Sequence, residues 1–392
     1  MTPDIAYIAR GVLHVRSATG GPAKALESPF AESIRTRATR IHERNAWKTR
    51  GSSALFQRGG APWGAPKFDP TRIRIRLDGI CRGRKSGEIL YALQTDDVGG
   101  LFAQDPVTGE EKRLFHSASL HVRQPATRSD GALIVCSVGS DGGASHLVVM
   151  SGDGSEVREV TEGDCVDLAP RWVPGNPRCV VYPSAGLSRA ANGIPMGTGP
   201  FAIQQLDLKS GEITTLVEDE KYDHLAPQMS ADQSLYFIRR PRTTARPNPF
   251  RTLLGIVLMP VQLLWAIFQW VNFFTIRYSG KPLINDGDTR QQAADLQRMM
   301  VWGNMIDADA ETKRGFRRGE EAPALVPRSW ELVRRSPAGE TTVVARGVLS
   351  FDLAEDGSVV YSNGTGVFVV DPHGRETRVC VEKQVEQVAF LG

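Results

Sequence analysis

At 392 residues, with 41% apolar and 23% charged residues, the chain has the make-up of a globular protein with a real core, in one large or two to three smaller domains, which excludes a disordered chain. The net charge of +3 hides an imbalance: residues 34–85 carry fourteen Arg or Lys against three acids, so the remainder is net acidic. That excess bears on partners, not on fold. The 39 glycines and 24 prolines imply many turns, and many turns imply short strands.

In chain order, IAYIA (5–9), VLHVRS (12–17) and AKALES (23–28) read as three strands that lack a first one. The opening MTPDIAYIARGVLHV has an acid at position 4 and neither a basic nor an apolar leader region, so a cytoplasmic protein is expected. Next, FAESIRTRATRIHERNAWKTRG (30–51) reads as a helix starting near Ser28 or Pro29, within an insertion over 29–70. Arg35, Arg37, Arg40, Arg44 and Lys48 make it basic, either as a solvated face or as a surface for an anionic partner: lipid headgroups, RNA or an acidic protein. Trp47, Phe56 and Trp63 are interleaved as base stacking would favour, but no RNA-binding motif accompanies them, so nucleic acid is not the expected partner.

From residue 71 two kinds of turn alternate. One separates an inner strand from the next: KSGEILYAL (85–93), SDGALIVCS (129–137), PGNPRCVVYPS (174–184), SADQSLYFI (230–238) and EDGSVVYS (355–362). The other joins the last two strands of a unit: VTGEEKRLF (107–115), GDGSEVREV (152–160), KSGEITTLV (209–217), PAGETTVVA (337–345) and PHGRETRV (372–379). Gly and Asp supply the backbone conformations that such tight turns need, between alternating apolar residues of half-buried strands. Gly87, Gly131 and Gly175 recur every 44 residues, the period of a four-stranded propeller blade. A final strand, KQVEQVAF (383–390), lacks followers. Joined to the three N-terminal strands it completes a sixth blade and leaves no open edge. The expected fold is an all-β, six-bladed β-propeller (1–28, 71–240 and 329–392), closed by both ends of the chain in one blade, with two helical insertions over 29–70 and 241–328.

DLAPRWVPGNPRCVVYPSAG (167–186) and HLAPQMSADQSLYFIRRP (224–241), with Pro170, Trp172 and Pro174 in the first and Pro227, Met229, Ser230 and Asp232 in the second, resemble the PD40, or WD40-like, repeat of TolB-type propellers. The Asp–Gly of that repeat stands at Asp130–Gly131 and Asp356–Gly357. The resemblance spans about 250 residues, implies the fold and says almost nothing about function. TolB is periplasmic, so a Tol-system role does not carry over to a chain without an export signal. Similar cytoplasmic propellers are mostly interaction platforms or accessory domains.

The second insertion holds LLGIVLMPVQLLWAIFQWVNFFTI (253–276), twenty-four residues without a formal charge. It is long enough to span a bilayer. Yet it leaves after LYFIRR (235–240) and returns at SWELVRRS (329–336), consecutive strands of one blade, so a single crossing would put them on opposite sides of the membrane. An interfacial helix, a re-entrant hairpin bent at Pro260 or a helix buried against a partner remain. Gly255, Gln262, Ala266, Gln269 and Asn272 share one helical face, and Arg246, Arg251 and Arg277 flank the run. An apolar face between cations is the pattern of an interfacial anchor. Leu254, Leu258, Leu264, Trp265, Phe268, Trp270 and Phe273 are the residues expected to bury themselves against a membrane or protein partner. DTRQQAADLQRMMVWGNMI (288–306) reads as an amphipathic helix capped by Asp288 or Thr289.

No nucleophile elbow, P-loop, zinc-protease motif or dinucleotide fingerprint occurs, and INDGDT (284–289) lacks the length and closing Glu of a calcium loop. Seven histidines are scattered without ligand spacing. Cys81, Cys136, Cys165, Cys179 and Cys380 form no CxxC and suit buried thiols in a reducing compartment. No catalytic residue, metal or cofactor is therefore expected. The expected function is a non-enzymatic scaffold docking to a membrane face or a larger protein assembly, cytoplasmic or peripheral on the inner face of the membrane. Two other readings stay open: a hydrolase-like propeller with Asp96, Asp97, Asp141, Asp164 and Asp167 about its channel, and an RNA-binding platform.

Overall fold

The computed structural model describes residues 4–17, 20–50, 75–95, 98–140, 142–242, 298–301 and 304–391. The chain divides into two compact units, Met1–Ser33 with Ile73–Arg242 and Met299–Gly392, and Ile34–Arg72 with Thr243–Arg298. Of the second unit, the described part is mostly helix.

The first unit is built of antiparallel strands. Val385–Phe390, Ile5–Ala9, Val12–Arg16 and Lys24–Leu26 form one four-stranded sheet in that order. Arg76–Arg82, Ile89–Gln94, Gly99–Gln104 and Glu111–Ser117 form the next. A ten-stranded sheet follows. In it, one antiparallel group (His121–Thr127, Leu133–Gly139, Ser145–Ser151, Arg158–Glu159) joins a second group through one parallel pair, Ser145 with Val166. The second group comprises Cys165–Asp167, Arg171–Val173, Asn176–Arg189, Pro195–Thr198, Ala202–Asp207 and Ile213–Val217. Two more four-stranded sheets complete the set: Tyr222–Met229, Leu235–Pro241, Glu331–Arg335 and Thr341–Arg346, and Ser350–Leu353, Val359–Ser362, Gly366–Val370 and Glu376–Val381.

The glycine turns behave as their composition requires. Gly87, Gly131 and Gly175 have φ of 78°, 71° and 76°. At Gly131 a Cβ would also lie 2.9 Å from the Arg84 carbonyl oxygen, so a side chain is excluded by contact as well as by conformation. Asp130 and Asp232 accept hydrogen bonds from their own turns, and these bonds hold both carboxyls down at about 2, led by the Arg128 side chain for Asp130 and by the Ser230 hydroxyl for Asp232.

The repeat also shows in the core. Tyr91 pairs with Phe102, stacks on it with ring centroids 5.6 Å apart, and donates its hydroxyl to Glu111. Tyr361 pairs with Phe368, stacks on it at 5.0 Å, and donates to Glu376 at 2.7 Å. In both sheets the acid is the first residue of the outer strand. Glu111 also anchors the chain that leaves the first blade, because its Oε2 accepts from the Phe30 amide at 2.8 Å and its Oε1 from the Ser28 hydroxyl at 2.6 Å. This fixes the start of helix α1 (Pro29–Arg50), where Ser28 Oγ also accepts from the Ala31 amide. Phe30 and Ala31 pack into the apolar core beside Phe102.

Of the segment 288–306 expected as an amphipathic helix, residues 288–297 lie outside the described residues, and the described part departs from a helix. Arg298–Val301 and Asn304–Asp307 pair as a two-stranded sheet, and the helix lies later, α2 (Ala308–Arg317), capped by Asp307 Oδ1 accepting from the Ala310 amide at 2.9 Å. The sequence MMVWGNMI explains the shift: Gly303 and Asn304 disfavour a helix interior, whereas Val and Ile suit strands. Ile306, Ala308, Ala324 and Val326 are buried, and Ile306 and Val326 belong to the same apolar cluster as Trp330 and Leu332.

Strands Leu235–Pro241 and Glu331–Arg335, which flank the 241–328 segment, are hydrogen-bonded neighbours from Leu235–Arg335 to Arg239–Glu331. A buried ion pair pins this stem. Arg240 Nε lies 2.9 Å from Asp223 Oδ2, both side chains are under one-tenth exposed, and the guanidinium stands over the Trp330 ring. Asp223 also accepts from the Phe201 amide. Removing Arg240 leaves the buried Asp223 charge with only the longer, partly exposed contact to Arg242 Nε at 3.7 Å. Arg240→Met is therefore expected to cost about 3–5 kcal/mol, read as a lower urea midpoint with an unchanged denaturant slope.

Candidate functional site

Neighbouring groups meet mostly through side chain to backbone hydrogen bonds. Gln387 Oε1 accepts from the Ile80 amide at 3.1 Å, and Cys81 Sγ lies 3.7 Å from Thr127 Oγ1. Gln124 Oε1 accepts from the Ala169 amide at 2.8 Å, and Trp172 Nε1 donates to the Ala126 carbonyl at 3.0 Å. Phe201 donates its amide to Asp223 at 3.2 Å. Gln228 donates through Nε2 to the Phe351 carbonyl and accepts through Oε1 from the Leu353 amide. Asp352 Oδ2 accepts from the Phe390 amide at 2.9 Å.

Three inner strands share a strained step. Gln124, Ala169 and Ala226 have φ of 48°, 38° and 48°, each immediately before a proline. Non-glycine residues rarely adopt this region. The step shifts the strand register between Arg123 and Ala126 and between Leu225 and Gln228. It takes Gln124 out of its own ladder, whereas Gln228 stays paired with Tyr236.

Charged residues of these strands converge in two places. At the strand starts, Asp78 lies 2.6 Å from Arg76 Nε and 3.7 Å from Arg123 Nε. Burial raises the nearby Glu386 carboxyl, and the Asp78 charge adds to that rise. At the strand ends, Arg82 Nη1 reaches Glu355 Oε1 at 3.3 Å, linking two sheets that are not consecutive along the seams above. On a neighbouring strand Asp352 is half-buried. Burial pushes its carboxyl up, and the opposing pull comes first from Arg171, then from backbone donors and Arg82. Arg171 Nη1 is spent on the carbonyls of Pro125 and Pro170, both at 3.3 Å. The buried Cys81 feels both Arg171 and Asp352, and burial raises its thiol. A carboxyl raised by burial and opposed by the charge of an arginine is a pattern that also occurs at functional sites.

Of the acids singled out in the sequence, the two that are described, Asp164 and Asp167, are engaged elsewhere. Asp164 pairs with Arg189 at 2.7 Å, and Asp167 is buried, accepting from the Ser184 hydroxyl at 2.6 Å. Asp96, Asp97 and Asp141 lie outside the described residues. So do Leu254, Leu258, Leu264, Trp265, Phe268, Trp270, Phe273, Arg246, Arg251 and Arg277. Arg35, Arg37, Arg40, Arg44 and Lys48 all fall on α1, and the first four are exposed. Arg37, Arg40, Arg44 and Lys48 follow a spacing of three, four and four, one helical stripe. Asp352 and Arg171 escaped the sequence reading, although Arg171 sits inside the APRW stretch of a repeat and Asp352 immediately precedes an Asp–Gly turn segment, LAEDG.

No protein-family model matches the chain, and no curated protein matches it. Solved structures do. TolB from Acinetobacter baumannii superposes with a TM-score of 0.52 at 12% identity over 99% of this chain and 66% of its own. A chain of a nidogen/laminin complex gives 0.50 at 8% identity over 99% and 98%. The tricorn protease gives 0.47 at 12% identity, over 99% of this chain and 34% of its own. This chain thus spans just under two thirds of that TolB and about a third of tricorn. The likeness shows the fold, a TolB-like β-propeller. Among the described residues no helix is long and apolar enough to cross a membrane.

Two pH-dependent outcomes follow. Burial lowers the His224 imidazole below its ordinary value, and His224 Nδ1 has no hydrogen-bond partner among the described residues. A lowered histidine contributes stability that is full above about pH 6.5 and is lost as pH falls through the folded value. The urea midpoint should therefore drop on acidification below that point, and His224→Gln should flatten the drop. For the raised Asp352 carboxyl the sign reverses: the ionised folded form is penalised at neutral pH, and the penalty fades towards about pH 4. Asp352→Asn, which keeps an oxygen for the Phe390 amide, should be more stable than the parent at pH 7 and equal to it near pH 4 by thermal unfolding.

Proposed function

We propose that the protein is a non-enzymatic interaction scaffold: a six-bladed β-propeller, its first and last strands in one blade, that docks to a membrane face or larger protein assembly through the 241–328 insertion. Six strand groups joined seam to seam, ending with Val385–Phe390 against Ile5–Ala9, support the closed ring. The carrying observation is the stem. Its two strands are hydrogen-bonded neighbours, so whatever lies between Pro241 and Glu331 leaves and re-enters at one end of one blade. Strand parity supports this reading, because the 29–70 insertion follows the fourth strand of its sheet and the other insertion the second, both even strands.

On this reading Leu254, Leu258, Leu264, Trp265, Phe268, Trp270 and Phe273 are the buried contacts and Arg246, Arg251 and Arg277 meet anions. An apolar run of twenty-four residues flanked by arginines gains from burial and from anionic lipid at once. The α1 stripe of Arg37, Arg40, Arg44 and Lys48, with Arg35 beside it, offers a second anionic contact. The propeller supplies rigidity, and its own strands carry none of the docking residues.

Deleting residues 252–277 should abolish flotation with anionic liposomes, or co-purification of partner proteins from native lysate, while the circular dichroism spectrum of the strands stays the same. A deleted protein that floats and co-purifies as the parent does contradicts the proposal. Flotation that survives high salt points to apolar burial, and flotation that disappears points to the arginines.

A further inference from the structure

Helix α2 turns one side inwards and leaves the other to solvent. Ala308 and Gly315 are buried, and a Cβ on Gly315 would overlap Pro323, so the helix lies directly on the chain that follows it. That chain is tied to the neighbouring sheet: Asn363 Nδ2 donates to the Ala322 carbonyl and Thr365 Oγ1 to the Pro323 carbonyl, both at 2.8 Å. The outward side is therefore fixed. It carries Lys313, Arg314, Phe316 and Arg317, with Arg318 at the C-cap. Phe316 is 60% exposed, and among the described residues every other Phe, Tyr or Trp with an assigned burial is buried or half-buried.

Five cations meet here with two carboxylates in contact. Arg314 pairs with Glu311 at 2.5 Å, while Arg318 at 2.9 Å and Arg328 at 3.6 Å share Glu320. Lys313 and Arg317, one turn apart and next to Phe316 on the helix surface, hold no ion pair among the described residues. Glu321 is taken by Arg378 at 2.6 Å. Even with Asp309, one turn before Lys313, the positive charges outnumber the negative.

Cations in the last turn of a helix favour its dipole, but that does not call for an exposed phenyl ring among them. An exposed ring bordered by cations is complementary to a surface that is negative outside and apolar beneath, the headgroup layer of a bilayer. We propose that this face of α2 is a contact for anionic lipid, with Phe316 at the headgroup boundary and Lys313 and Arg317 against lipid phosphates. A nucleic acid would meet the same charges, but a single ring offers no row of stacking platforms, and the uncharged run at 253–276 of the same insertion has no use for one. This contact rests on the docking reading above for its choice of a membrane, and it adds residues outside 252–277.

The test is co-sedimentation of the full chain with phosphatidylcholine vesicles, with and without an equal share of phosphatidylglycerol. The parent should prefer the anionic vesicles. Lys313→Gln combined with Arg317→Gln should weaken anionic binding roughly thirtyfold, equivalent to about 1 kcal/mol for each cation, and leave neutral binding unchanged. Phe316→Ser should weaken both, and Val107→Ser, at an exposed apolar side chain elsewhere, should change neither. All these side chains are exposed, so the variants should keep the urea midpoint of the parent. The proposal is overturned if the double variant binds anionic vesicles as the parent does, if the parent binds neither vesicle, or if the variant loses binding to oligouridine RNA and not to vesicles. The two readings fail separately: a protein lacking 252–277 that binds as the parent does contradicts the insertion as anchor, whereas a double variant that does so contradicts only the α2 contact.

Discussion

Five backbone pairings decide this molecule: Ile5 opposite Phe390, Ala6 opposite Ala389, Tyr7 opposite Val388, Ile8 opposite Gln387 and Ala9 opposite Val385. Strands from the two ends of the sequence thereby share one sheet, and each supplies the hydrogen-bond partners the other lacks. Without the pairing, Ile5–Ala9 and Val385–Phe390 would each expose a row of unpaired amides and carbonyls. It would also expose Ile5, Tyr7, Val388 and Phe390, which are buried together with Val360 and Val367 of the preceding sheet. The loop-closure entropy is large because the join spans nearly the whole chain, and local sequence preference contributes nothing towards it.

Given that join, the remaining contacts between groups are polar and regular. Side-chain amides of Gln124, Gln228 and Gln387 bind backbone groups of the next inner strand, and the Asp352 carboxylate does the same. A glutamine spends oxygen and, at Gln228, nitrogen on neutral partners, so it bridges without a charge to desolvate. Asp352 achieves the same bridge at the cost of a buried carboxyl, which glutamine or asparagine would avoid.

Much of the scaffold was legible in the sequence, because its signals are local. Glycines at Gly87, Gly131 and Gly175 have no alternative to a tight turn, and alternating apolar residues on either side have one buried face. The pairing of both ends could be foreseen from an unfinished unit at each end. What could not be foreseen has physical causes. Residues 298–307 lie in a composition that suits helix and strand alike until Gly303 and Asn304 decide between them. The left-handed Gln124, Ala169 and Ala226 precede prolines, a place where propensity argues against the conformation they adopt. The Arg82–Glu355 contact joins residues 273 positions apart on different sheets, and separation along a chain carries no sign of it. Asp164 and Asp167 illustrate the reverse: acids at suggestive positions, already committed to Arg189 and Ser184.

The join of the two ends is best tested by native-state hydrogen exchange across a urea series. If it holds the fold together, the amides of Ile5–Ala9 and Val385–Phe390 exchange only through global opening, with the same free energy and urea dependence as Ile134–Val138 in a central strand. Exchange of those terminal amides at a markedly lower free energy, while the central strand stays protected, would show that the ends fray freely and that the fold stands without them.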